Sequence, residues 1–325
     1  MIRTMNTVLA LALLGLCAAV STLHAQQYPT KPIRLLIPSP AGGGTDILGR
    51  VVKEGLAELW GQPVIVDNRG GASGRIAAAA TAKATPDGYT LLFTYGGLLT
   101  TGMPLFKDLP YHPIKDFTAI AMLCQVPGVL VAHPSFPAKS VSELISMAKA
   151  KPGAITQGAS SPGSSSHLNM VLFKQMAGID MYQVSFNGDG PALVALLGGQ
   201  VPFAFNNVVV TLPHIQSGKL RALGVATSQR VADLPDVPTI SESGLPGYEG
   251  LLFYGLVGPA KLPPAVVSRL YDGVQKIKQI PEVRAQMARL GAIPLDMTTE
   301  QFGSFIQSEL DKWTKVIKTG NIQAE

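Results

Sequence analysis

Two glycine- and hydroxyl-rich segments of this 325-residue chain have a composition suited to binding an anion. The first, residues 38–46, reads PSPAGGGTD, and the second, residues 158–167, reads GASSPGSSSH. Each lies between a strand-like run and a segment with helical periodicity. Glycines let the backbone approach a ligand, and the first amides of a helix are unpaired and attract negative charge. We therefore expect the two turns to form the two halves of a clamp for a small carboxylate.

Other interpretations of the first turn can be weighed against this one. A phosphate loop is excluded because the pattern GxxxxGK[ST] is absent. A dinucleotide site would place a ribose-binding acid near Asp67, but Ile47 stands where the third glycine is needed. The turn could also serve only to start a helix, with Thr45 or Asp46 as the cap, and capping is compatible with ligand binding. We expect no cofactor.

Serine and histidine in the second turn raise the possibility of hydrolysis. The chain has no GxSxG elbow, and Ser166 and His167 are adjacent on one helical turn, where they cannot form the usual nucleophile–base pair. A secreted serine hydrolase using Ser164 or Ser165 is kept as an unfavoured alternative. The histidines after residue 25 show no ligand-like spacing, so no metal site is predicted. The chain is not expected to be an enzyme.

Further turns follow strand-like runs and could contribute to the walls of the same site. Residues 186–190 read FNGDG, residues 205–207 read FNN, and residues 95–97 read YGG. Because strand ends converge on a cleft in α/β proteins, Tyr95, Asn187 and Asn206 are candidate wall residues.

Composition limits the class of protein. Hydrophobic residues make up 46% of the chain and charged residues 14%, with a formal net charge of +5. The basic residues are scattered, so no nucleic-acid partner is predicted. Residues 1–25 are typical of a cleavable secretory signal, with Arg3 before an apolar run and a plausible cleavage site after Ala25. We predict export to the periplasm, after which Cys124 is the only cysteine.

The order of elements predicts an α/β protein with two lobes. A helix over about 46–60 buries one apolar face, residues 96–113 are loop-like, and 117–125 and 129–133 are separate strands that enter the second lobe. The run 248–257 returns the chain, and a capping box, Thr298 with Gln301, begins the last helix. The predicted architecture is two α/β lobes joined by two crossing strands, with the ligand in the cleft. Residues 26–126 and 250–325 form lobe 1, and residues 127–249 form lobe 2.

Several ordered blocks of sequence carry a family resemblance. They include YPTKPIR from Tyr28, PDGYTLL from Pro86, LGGQV from Leu197, GKLRAL from Gly218 and GLPGYE from Gly244. With these blocks the chain resembles the Bug family of periplasmic solute-binding proteins, the receptors of tripartite tricarboxylate transporters. The resemblance implies a type II periplasmic binding fold that closes about a hinge on its ligand.

The resemblance also implies a set of ligand contacts. Lobe 1 would contribute Ser39, Ala41, Gly42, Gly43 and Asp46, and lobe 2 would contribute Ser160, Ser161, Ser164, Ser165 and Asn206. Three residues depart from the family pattern: Ser39 replaces a usual aromatic residue, Asn187 a frequent lysine and Asn206 a common aspartate. These departures leave the ligand's identity open within the class of carboxylates.

The expected partners are a small organic carboxylate and the subunits of an inner-membrane permease, and the receptor is expected to be a monomer. In an alternative with the same fold, the liganded protein would present itself to a membrane sensor kinase instead of a permease.

Overall fold

The computed structural model describes residues 28–160 and 163–319. The predicted signal peptide, residues 1–25, lies outside the described residues. The strands are β1 Ile33–Ile37, β2 Val64–Asn68, β3 Thr90–Tyr95, β4 Phe117–Ala132, β5 Thr156–Ala159, β6 Tyr182–Ser185, β7 Phe203–Asn207, β8 Arg221–Val225, β9 Leu251–Pro259 and β10 Ile293–Pro294. The helices are α1 Gly44–Trp60, α2 Arg75–Ala82, α3 Gly96–Thr100, α4 Gly102–Leu105, α5 Val141–Ala150, α6 Ser165–Ala177, α7 Asp189–Leu197, α8 Val208–Gln216, α9 Pro264–Gln279, α10 Pro281–Arg289 and α11 Thr299–Thr319.

The strands form two α/β lobes that share long antiparallel strands. In lobe 1, β1 lies between β2 and β3 and is parallel to both. In lobe 2, β5 lies parallel to β6 and β7. Between these parallel groups, β9 pairs antiparallel with β3 and β4, so the strand order runs β2-β1-β3-β9-β4-β7-β5-β6. This is the predicted two-lobe architecture.

Strand β4 carries the chain from one lobe to the other. Its residues 117–127 pair with β9, and its residues 128–132 pair with β7 and β8. The prediction of two separate strands here was wrong. Pro127 and Gly128 interrupt the strand-like pattern of the sequence. In the structure they lie where β4 changes its partner strand from β9 to β7, and β4 continues through them. The lobe boundaries predicted at 126/127 and 249/250 stay a prediction.

Residues 96–113 also differ from the prediction of a loop, because they contain the short helices α3 and α4. Glycine has a low helix propensity, so the glycines of this stretch gave no indication of helices. They are needed for packing: a Cβ on Gly96 would lie 2.3 Å from the Phe253 ring. Leu98 and Leu99 are fully buried in the same core, so tertiary contacts rather than propensity stabilise α3.

The last helix matches the prediction closely. Thr298 and Gln301 form a reciprocal capping box, in which each backbone N–H donates to the other's side chain at 2.9 and 3.2 Å. The buried stripe of α11 packs on β4 and α3 and consists of Phe302, Ile306, Leu310, Trp313 and Ile317. None of the helices in the described ranges is long and apolar enough to cross a membrane.

Candidate functional site

The first glycine turn connects β1 to α1. Gly42 has a φ of +83°, a conformation that side chains disfavour, and Gly43 is the extended residue before the helix. Asp46 closes the turn, since its Oδ2 accepts a hydrogen bond of 2.9 Å from the Gly42 amide. Arg50 and Asn68 also donate to the Asp46 carboxylate. The predicted turn and helix start are present, and the helix begins two residues earlier than predicted.

The electrostatics of Asp46 follow from these donors. Burial alone would raise the pKa of this carboxyl, but hydrogen bonds from Arg50, Gly42 and Asn68 hold it below its usual value. The carboxylate is therefore charged and fully engaged at neutral pH. The carboxylate stabilises the turn through its hydrogen bond from the Gly42 amide, and Asp46 is not among the residues that line the cavity described below.

The second turn precedes α6. The Ser164 side chain caps this helix by accepting from the His167 amide at 3.2 Å, and its hydroxyl lies 2.7 Å from that of Ser160. The Gly163 amide donates to His167 Nδ1 at 3.0 Å. Burial lowers the pKa of His167 to about 4, so the ring is neutral and structural. In this arrangement His167 orders the loop and does not activate a serine.

The two lobes contact each other at the turns. Gly44, at the start of α1, lies so close to lobe 2 that a Cβ there would be 2.8 Å from the Asn207 side chain. The Thr101 hydroxyl of lobe 1 lies within hydrogen-bond distance of two carbonyl acceptors, Gly163 of lobe 2 at 2.6 Å and Gly97 of lobe 1 at 2.7 Å. The two lobes are therefore in direct contact beside the cleft.

A cavity lies where the strand ends and helix starts of both lobes meet. The space free of atoms in and around it is about 460 Å³, a volume that includes open solvent. Its lining comes from the starts of α1, α6 and α7 and from β9. The described lining residues are Pro38, Ser39, Pro40, Thr45, Gly71, Gly74, Tyr95, Ser160, Ser164, Ser165, Ser166, Asn187, Gly188, Asp189, Leu252 and Tyr254.

Half of the twelve predicted ligand-binding residues line this cavity. They are Ser39, Tyr95, Ser160, Ser164, Ser165 and Asn187. Within the described part of the chain, the Ser39 hydroxyl is buried without a hydrogen-bond partner. Such a group is left available for a ligand.

The other predicted residues have different positions. Ala41 and Gly42 line a neighbouring apolar groove, and Gly43 faces Gly190 of lobe 2. Asn206 is buried; its Oδ1 accepts from the Asn207 amide, and its Nδ2 has no partner among the described residues. Ser161 lies outside the described residues. The ligand-binding role of all these residues stays a prediction.

Sequence reasoning missed several residues of the wall. Leu252 and Tyr254 come from β9, whose apolar run gave no sign of facing a site. Asp189 lies in a turn that was recognised, and an acid directly after Asn187-Gly188 at a helix start was the signal that could have identified it. Its carboxylate accepts hydrogen bonds from Asn207 Nδ2 at 2.6 Å and from the Ser166 hydroxyl at 3.3 Å. Burial raises the pKa of Asp189, and these neutral donors only partly offset that effect.

Two α/β lobes that share long strands and enclose a polar cavity at their helix starts are typical of a solute-binding protein. The family model described as tripartite tricarboxylate transporter family receptor matches residues 48–322. The chain belongs to this family of receptors. It is also 35% identical to the protein BugT of Bordetella pertussis over 319 residues, covering 97% of this chain and 98% of the relative.

Solved structures agree with this assignment. Rpa4515 of R. palustris with adipate has a TM-score of 0.88 at 34% identity, covering 91% of this chain and 99% of that chain. MatC from Rhodopseudomonas palustris with bound malate has a TM-score of 0.85 at 33% identity, covering 89% and 100%. The resemblance to the Bug family is thereby confirmed, and so is the predicted fold.

Proposed function

We propose that this protein is a periplasmic receptor that binds a small organic carboxylate in the interlobe cleft and delivers it to a tripartite tricarboxylate-type permease. The observation that carries the proposal is the cavity between the lobes, which is lined by serine and threonine residues and by helix starts from both lobes. Relatives of the same fold hold adipate and malate, which are both carboxylates. No step of the proposal needs a catalytic residue.

The affinity would come from preorganised donors. The starts of α1 and α6 point unpaired amides toward the cleft, and each helix contributes a partial positive charge there. Because the turns are already braced by Asp46 and His167, little conformational entropy would be lost on binding. Contacts made to both lobes would favour the closed arrangement and couple ligand binding to closure.

A thermal-shift screen tests the binding step. The exported protein is unfolded, stripped of ligand and refolded, and then melted with mono-, di- and tricarboxylates and acidic amino acids. A ligand at one hundred times its Kd adds about 2.7 kcal/mol of stability, which gives a clear rise in Tm. A panel without any shift would contradict carboxylate binding.

The variant Ser39→Ala locates the binding site. Because the Ser39 hydroxyl is buried without a partner, its removal should leave the Tm of the ligand-free protein unchanged or slightly higher. The affinity for the best carboxylate should fall about fivefold, which corresponds to the loss of one hydrogen bond of about 1 kcal/mol. Ser146→Ala, on the outer helix α5, is the matched control and should bind like the wild type.

Delivery to a permease needs a separate measurement. Uptake of the radiolabelled hit by the native bacterium should disappear when the receptor gene is deleted, and should return with the wild-type gene. Unchanged uptake together with lost transcriptional induction would instead favour the sensor-kinase alternative.

A further inference from the structure

The charge of the cavity is set by a single residue. Among the described residues that line it, Asp189 is the only aspartate or glutamate, and no lysine, arginine or histidine takes part. This is unexpected in a site that is proposed to hold an anion, since like charges in a desolvated site repel each other strongly.

The protein does not neutralise this carboxylate itself. The groups that donate to Asp189, Asn207 and Ser166, are uncharged and belong to the same lobe. No ion pair within the described residues includes Asp189. The acid therefore lies at the wall of a ligand cavity with two neutral donors and the start of α7 beside it, and without a basic side chain as partner among the described residues.

The opposite wall is also compatible with a cation. Tyr95 and Tyr254 of lobe 1 lie near enough that the Asp189 charge contributes to raising their pKa values, after burial as the main cause. The Tyr95 hydroxyl donates to the Ser73 carbonyl at 3.0 Å, so its hydrogen bond is directed away from a ligand. Aromatic rings beside a carboxylate are a common setting for an ammonium group.

The remaining polar groups of the cavity suit a carboxylate. Ser39 and Ser165 are among the lining residues, and helices α1 and α6 begin at the cavity, where the first amides of a helix favour an anion. A plain dicarboxylate could use these donors at one end, but its other end would add negative charge to a cavity that already contains Asp189.

We propose that the ligand of this receptor is an amino carboxylate, whose carboxylate binds the hydroxyls and helix-start amides and whose ammonium group pairs with Asp189. This inference rests on the proposed function and narrows its ligand class from carboxylates in general to molecules that carry both charges. Asp189 then acts as the residue that determines specificity.

Titration calorimetry with matched pairs of compounds tests the inference. Each pair differs by one ammonium group: succinate and aspartate, glutarate and glutamate, valerate and 5-aminovalerate. In at least one pair, the ammonium-bearing member should bind the ligand-free, refolded protein ten times more tightly or better. In Asp189→Asn that preference should fall at least tenfold, while the plain member binds as tightly as before or more tightly.

The control variant is Asp180→Asn, which removes an exposed carboxylate of lobe 2 that pairs only with Lys174 at the surface. It should keep the wild-type preference. Circular dichroism and Tm establish that each variant is folded.

Several outcomes would overturn the inference. Plain carboxylates could bind as tightly as their amino partners in every pair. Asp189→Asn could weaken the binding of both members equally, which would mean that Asp189 only stabilises the structure of lobe 2. It could also preserve every affinity, which would fit a protonated acid that donates to the ligand. In these cases carboxylate binding itself survives, whereas binding by no member of any pair would count against the proposed function and remove the basis of the inference.

Discussion

Asp46 and Asp189 both lie in the first turn of a helix that begins at the cleft, but their surroundings differ. Asp46 is surrounded by the Gly42 amide, Arg50 and Asn68, which lower its pKa against the effect of burial. Asp189 receives only neutral donors, and burial raises its pKa. The same residue type therefore stabilises the backbone in lobe 1 and faces the cavity without a counter-charge in lobe 2.

The hydrogen-bond and ion-pair partners of an acid near such a turn indicate whether it stabilises the turn or faces the cavity. The family resemblance implied that Asp46, at the end of the first glycine turn, is one of the ligand contacts, and Asp189 was not among the predicted site residues. The structure places Asp46 behind that turn and Asp189 in the cavity wall. Asp46 already has a basic partner in Arg50, four residues later on the same helix.

The largest effect on affinity is expected for a substitution of Gly44, where the two lobes approach each other closely. In Gly44→Ala the new methyl group would collide with Asn207, whose side chain cannot move freely because it caps α8 and donates to Asp189. Closure should be hindered, and the affinity for the best carboxylate should fall more than tenfold while the ligand-free Tm changes little. Calorimetry and small-angle X-ray scattering of the liganded protein measure both effects.

Gly190→Ala provides the matched control, because its Cβ would face Gly43 of the other lobe at an ordinary contact distance of 3.8 Å. It should close and bind normally. Equal affinity of Gly44→Ala and the wild type would show that this approach is not required for binding.

The next effect concerns the brace of the first turn. Asp46→Ala removes the acceptor of the Gly42 amide and a favourable charge at the start of α1. The free energy of unfolding should fall by about 1–2 kcal/mol, as for the loss of a hydrogen bond to a charged group at a helix start. Carboxylate binding should weaken as the turn loosens. Urea unfolding measures the change, with Asp311→Ala on the exposed face of α11 as control.

The pH dependence of this effect has a defined sign. Because the folded-state pKa of Asp46 lies below that of the unfolded chain, its contribution is complete above about pH 4 and is lost as the pH falls through the folded value. The difference in unfolding free energy between wild type and Asp46→Ala should therefore shrink as the pH falls below about 4. A difference that grows on acidification would contradict the assigned brace.

The smallest effect is expected at the second contact between the lobes. Thr101→Val removes the hydroxyl that donates to the Gly163 carbonyl and keeps the shape of the side chain. One interlobe hydrogen bond of about 1 kcal/mol corresponds to a loss of affinity of at most roughly fivefold, because the same hydroxyl also lies 2.7 Å from the Gly97 carbonyl of lobe 1. Calorimetry with the best carboxylate measures it, and an unchanged Kd would show that this bond does not stabilise the closed form.

Local patterns predicted much of the fold and part of the site. The strand–glycine–helix order located both turns, and the capping box located the start of α11, because these features depend on a few neighbouring residues. The six predicted residues that line the cavity were found in the same way or through the family resemblance. Features that depend on distant contacts were not predictable. Tyr254 reaches the cavity only because β9 lies between β3 and β4, and α3 exists only because its leucines are buried.

The most direct test of the account is a crystal structure of the protein with the carboxylate that gives the largest thermal shift. The account predicts that the ligand lies in the interlobe cavity, with its carboxylate between the start of α1 and the Ser164–Ser166 turn. A ligand bound elsewhere on the protein, or in the cleft with its carboxylate away from both helix starts, would contradict it.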